Sequence, residues 1–105
     1  MSTTNLFQNI PNNLPEEFFE TIAQSDNIKI EKIISDGHTS PPGFWYDQDL
    51  NEFVIVLKGN AILEFEDGTT HKMNEGDYQI IPAHKKHRVS YTDNSTKTIW
   101  LAVHF

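Results

Sequence analysis

Apolar and polar positions in this chain change rhythm once. Near the N-terminus Leu14, Phe18 and Ile22 recur at a spacing of four, which marks one face of a helix. Pro15 suits a first helical turn, and Glu16 and Glu17 complement the positive end of the helix dipole. The pattern therefore predicts a short helix over Pro15 to Ala23, ended by Ser25-Asp26-Asn27. Before it, residues 1–13 are polar and Asn-rich, with Leu6, Phe7 and Ile10 as anchors for an arm that docks on the domain.

After Asn27 the period shortens to that of strands. Ile28 to Ser35 is rich in β-branched residues, and Asp36-Gly37 and Pro41-Pro42-Gly43 bound the loop that follows. Glu52 to Leu57 is apolar on both faces: Val54 and Val56 lie beside Glu52, with Phe53, Ile55 and Leu57 opposite. A strand between a packed lumen and a second covering layer needs that pattern. Ala61 to Glu66 alternates, Asp67-Gly68 is a two-residue hairpin turn, and Thr69 to Met73 returns. Tyr78 to Ile81, His87 to Thr92 and Thr98 to Phe105 complete a set of roughly eight short strands, which predicts a barrel or sandwich. Alternation places Val54, Val56, Val89 and Tyr91 in the lumen.

Composition narrows the picture. A chain of 105 residues makes one domain, with an arm and helix over 1–27 and a β-barrel over 28–105. Seven Phe, three Tyr and two Trp supply the bulk for its core. With no Cys the chain is neither a disulfide scaffold nor a thiolate metal site, and it suits a reducing compartment. A net charge of −7 excludes general binding to nucleic acid or an anionic membrane, both of which need a positive field. No apolar run reaches the length of a bilayer span, and Met-Ser-Thr-Thr-Asn lacks the features of a signal peptide, so a cytoplasmic protein is expected.

Two spacings carry the candidate chemistry. Glu52 is followed after six residues by Gly59; Gly76 is followed after five by Pro82, and Pro82 after four by His87. Together they resemble the paired motifs of the cupin superfamily, in particular the small stand-alone cupins (cupin-2-like, of the RmlC-like jelly-roll superfamily). The resemblance covers residues 43–91 and implies a jelly-roll β-barrel in which a Glu and a His on separate strands share a divalent metal ion. By that resemblance Glu52 and His87 are metal ligands. The family's first motif carries His-x-His before the Glu; here Trp45-Tyr46-Asp47-Gln48 occupies that stretch. One register puts Tyr46 and Gln48 at the two His positions, the other puts Trp45 and Asp47 there. Trp cannot coordinate a metal, so Tyr46 and Gln48 are the favoured further ligands and Asp47 the alternative. His84 stands where the family has a turn Gly, which calls for a left-handed backbone or a changed turn. It is either an additional ligand or proton shuttle, or a polar loop residue.

Of the other histidines, His38 and His71 read as surface residues, and His104 alternates with Trp100 and Ala102 on the last strand, where it either lines the barrel or packs. Lys85, Lys86 and Arg88 flank the proposed site and read as solvated. The oxygen-rich donor set suits Mn, Fe, Ni or Zn. The leading functional reading is a cupin that binds a divalent metal and a small polar metabolite in its lumen, with Tyr46 or His84 moving a proton if it is an enzyme. The alternatives are a metal-free ligand-binding cupin and a structural scaffold. A homodimer is expected from the apolar outer face of Glu52–Leu57 together with Trp100, Leu101 and Val103.

Overall fold

The computed structural model describes residues 2–105. Eight strands form: β1 (Phe18–Gln24), β2 (Lys29–Ser35), β3 (Glu52–Lys58), β4 (Ala61–Phe65), β5 (Thr70–Met73), β6 (Tyr78–Ile81), β7 (His87–Thr92) and β8 (Thr98–His104). They make a five-stranded sheet in the order β1-β2-β8-β3-β6 and a three-stranded sheet in the order β5-β4-β7. The architecture is an all-β jelly roll of two facing sheets, and the predicted barrel is not closed. Among the described residues no helix is long and apolar enough to cross a membrane.

The predicted helix over Pro15 to Ala23 is absent, and this stretch instead supplies β1. A nine-residue helix has too few hydrogen bonds to offset its nucleation cost. As a strand the same residues pair with the free edge of β2, with Phe18 opposite Ile34 and Phe19 opposite Ile33. Pairing with an open edge outweighs a weak local preference.

The core lies between the sheets. Val54, Val56, Ala61, Leu63, Phe65, Met73, Ile81, Trp100 and Ala102 are buried there, with Ile33 and Val89 packed against them. Tyr91 does not join them; it is 43% exposed. The β4–β7 register explains why. Ile62 faces Tyr91 but Leu63 faces Val89, so Ser90 is an extra residue in β7. Such a bulge breaks the two-residue alternation, turns Tyr91 outwards and buries Thr92 instead.

Outside the large sheet, Phe53 lies opposite Val103 and Ile80, and Ile55 opposite Leu101 and Tyr78. The N-terminal arm covers the other end of this face. Lys32 donates to the carbonyls of Leu6 and Gln8, and Lys97 to that of Asn12.

Candidate functional site

The space between the sheets opens at the ends where β3 and β7 begin. Glu52 starts β3 on its inward face, and its cross-strand neighbours are Ile81 on β6 and His104 on β8. His87 starts β7. The turn before it is held by Lys85 N–H donating to the Pro82 carbonyl, Ala83 N–H to Asn51 Oδ1 and His84 N–H to the Gln48 carbonyl. His84 adopts the left-handed conformation, at φ 64°, where the resemblance places a turn Gly. Tyr46 pairs with His87 backbone to backbone, so period two puts the Tyr46 and Gln48 side chains on the inward side and Asp47 outside.

Glu52 Oε1 and His87 Nε2 lie 3.2 Å apart, with side chains only 10% and 6% exposed. His87 Nδ1 is 2.9 Å from the Lys85 carbonyl. A carbonyl only accepts, so Nδ1 carries a proton and Nε2 is the atom turned to Glu52. Burial by itself would depress the His87 pKa. The bond to Glu52, the Lys85 carbonyl and the carboxylate charge outweigh burial and raise it above the usual value. Tyr46 stacks on the imidazole with ring centres 5.6 Å apart. Burial, followed by the charges of Glu17, Glu52 and Glu31, pushes its phenol pKa up, so the ring stays in its neutral form.

The four favoured residues, Tyr46, Gln48, Glu52 and His87, line one cavity of about 50 Å³. Asp47 and His84 stand outside it. They pair with each other at 2.8 Å on the surface, and His84 also approaches Asp49 at 3.6 Å. Gln48 Oε1 is buried and has no hydrogen-bond partner. Among the described residues no group of three or more His, Asp or Glu is arranged to hold a metal ion. Arg88, read from sequence as solvated, donates to Glu64 and to the Ser40 carbonyl, while Lys86 pairs with Glu66 on the exposed side.

Sequence reasoning missed two carboxylates on the cavity wall. Glu31 accepts from His104 at 2.9 Å and sits 3.4 Å from the Lys29 ammonium. Glu17 accepts from Ser35 Oγ at 2.5 Å, and Ser35 in turn accepts from the Trp100 indole at 3.2 Å. Alternation already put His104 on the inward-facing row with Trp100 and Ala102. Glu17 carried no such signal, because it was read as part of a helix. Burial raises the Glu17 pKa, against the opposing Ser35 bond and the nearby His38. A carboxyl raised in the folded state contributes stability fully present below its ordinary value of 4.5, and loses it as pH rises through the raised value. Glu17→Gln removes that titration. Its stability relative to the parent chain should therefore improve between ~pH 4.5 and ~pH 7.5, measured by urea denaturation at both; an unchanged difference would contradict this account.

Comparison with known proteins agrees with this architecture. The family model of the cupin domain matches residues 33–104. A solved structure from Ralstonia eutropha, provisionally named a mannose-6-phosphate isomerase, is 44% identical over 99% of this chain and 97% of that one, with a TM-score of 0.94. A cupin superfamily protein from Desulfitobacterium hafniense is 20% identical, covering 91% and 83%, at 0.75. An RmlC-like cupin protein from Desulfovibrio desulfuricans is 16% identical, covering 99% and 96%, at 0.76. At such identities the last two speak to the fold alone. No curated protein sequence matches the chain.

Proposed function

The chain belongs to the cupin domain family, and we propose that it binds a divalent metal ion and a small polar metabolite in the space between its sheets. The observation that carries this reading is the buried Glu52–His87 pair beside the unpartnered Gln48 oxygen. Nδ1–H, fixed on the Lys85 carbonyl, directs Nε2 inwards, an arrangement usual for imidazoles that bind metals. One imidazole, one carboxylate and one amide oxygen fit Mn, Fe, Ni or Zn, held by His87, Glu52 and Gln48. A neutral Tyr46 is a poor anionic ligand; on this reading it serves as a hydrogen-bond donor to whatever lies against His87. A metal there would supply Lewis-acid polarisation of a carbonyl or hydroxyl.

Metal analysis of protein purified without a nickel column tests this. Bound Mn, Fe, Ni or Zn released by EDTA is expected, with weaker retention at low pH as protons compete for His87. No specific binding of any of them would reject it. A second reading, a metal-free ligand-binding cupin, is supported by the same 3.2 Å contact, since Glu52 and protonated His87 satisfy each other. The name of the Ralstonia eutropha protein points to a phosphorylated hexose. No Lys or Arg is among the residues lining the cavity, so that substrate is not carried over.

We also propose that residues 1–27 and 28–105 form one domain, and that the chain is a homodimer. The outer patch of Phe53, Ile55, Tyr78, Ile80, Leu101 and Val103 has no charged member, on a chain of net charge −7. Such a surface suits a second copy of itself. Light scattering at micromolar concentration should give twice the 12.1 kDa chain mass. Ile80→Lys, at a position already 61% exposed, should give the monomer without unfolding it. A monomeric parent chain would overturn the proposal.

A further inference from the structure

Between Tyr46, which pairs with His87, and Asn51, which pairs with Phe105, the stretch Asp47 to Leu50 lies outside any strand. Of these residues only Gln48 lines the cavity. Among the described residues, every hydrogen bond and ion pair that the stretch makes goes to His84. The His84 N–H donates to the Gln48 carbonyl at 2.8 Å. Its imidazole Nδ1 lies 2.8 Å from Asp47 Oδ1, and Nε2 lies 3.6 Å from Asp49 Oδ1. One side chain therefore holds the residue on either side of Gln48, whose own Oε1 is buried without a partner.

Fold stability does not account for a histidine here. A residue other than Gly at φ 64° carries a backbone penalty that Gly would avoid. The pair gained in return is exposed, 63% at the imidazole and 42% at Asp47, and exposed pairs add little to stability. Strain kept without a gain in stability is a mark of a functional task nearby. The task open to His84 is orientation, since an unbranched amide side chain loses rotamer freedom when it is held in one direction. We propose that His84 is a positioning residue, which by holding Asp47 and Asp49 keeps Gln48 Oε1 turned inwards beside Glu52 and His87. The inference rests on the metal-binding reading above, in which Gln48 is the third donor. His84 itself stays outside the cavity and touches no ion.

The test is titration of the full chain, purified without nickel, with Mn(II) and Zn(II) in turn at neutral pH, beside urea denaturation of the same samples. His84→Gly should weaken metal binding by about three- to ten-fold, because a residue acting through Gln48 cannot cost more than the loss of Gln48 itself. Its urea midpoint should be unchanged or higher, since Gly relieves the left-handed strain. His84→Asn should bind within about two-fold of the parent, as Asn tolerates this backbone region and places Nδ2 where Nδ1 stands. In a Gln48→Ala background His84→Gly should change nothing further, the sign of two residues acting as one. Four results overturn the positioning role while the metal reading stands. They are parent-like binding by His84→Gly, a lowered midpoint that accompanies its loss, an Asn variant as weak as the Gly one, and a loss that adds to that of Gln48→Ala. A parent chain that binds neither ion overturns both.

Discussion

A Gly59→Ala chain should be less stable than the parent by about 3–5 kcal/mol, whereas Gly68→Ala should lose only about 1–2 kcal/mol. Both glycines have positive φ, +86° and +90°, so an added side chain meets a similar backbone penalty at each. Their surroundings differ. At Gly68 a Cβ would meet nothing within 4 Å, but at Gly59 it would lie 2.6 Å from Thr98 Oγ1, 2.8 Å from Thr98 Cα and 3.0 Å from the Lys97 carbonyl. Two of those atoms are backbone at the start of β8, and Thr98 is fully buried, so nothing flexible can give way. Gly59 closes the first of the two spacings read in the sequence. There the chain turns from β3 to β4 against β8, and its N–H donates to Glu75. Urea denaturation at neutral pH of the parent and both variants measures the difference. Equal losses would mean that the close approach to β8 carries no weight.

The strands after Asn27 were legible because each is short, β-rich and fenced by turn residues, and their observed limits lie within about two residues of those read from the pattern, the usual latitude of an element boundary. The inward set of β3 was equally plain, since Glu52, Val54 and Val56 are the buried alternate residues of that strand. Two failures have a common cause: local pattern was asked to report tertiary pairing. Phe18 and Ile22 fit a helical spacing, yet an open edge of β2 decided their conformation. Val89 and Tyr91 fit a two-residue period, yet one extra residue, Ser90, undid it, and a bulge leaves no mark in the sequence of a single strand. The candidate site divides along the same line. Period two fixes Tyr46 and Gln48 to one side and Asp47 to the other once the Tyr46–His87 pairing exists. Glu31 lies in β2 between Ile30 and Lys32 with Ile33 and Ile34 beyond, a run with no clean alternation, so its inward position could not be read.

Removing the His87 imidazole is expected to weaken Mn or Zn binding by more than about 100-fold, beyond the 10–100-fold typical of losing an outer-shell partner, and Gln48→Ala by about ten-fold. The difference follows from donor strength: His87 and Glu52 supply a directed lone pair and a full charge, while Gln48 supplies a neutral oxygen. The single variants carry a structural penalty of their own. Without His87, Glu52 would sit 7% exposed among Val54, Ile81 and Trp100 with its partner gone, and an unpaired buried charge costs about 3–5 kcal/mol. The Glu52→Ala, His87→Ala double variant avoids that penalty, since both members of the pair leave together. It should fold better than His87→Ala alone and bind no metal in titrations read by bound-metal analysis. A folded double variant that keeps full occupancy would place the metal elsewhere and leave the space between the sheets as a metal-free ligand pocket. If instead the double variant loses metal yet still titrates with small ligands, ion binding and ligand binding are separable, and Glu52 and His87 serve the ion alone.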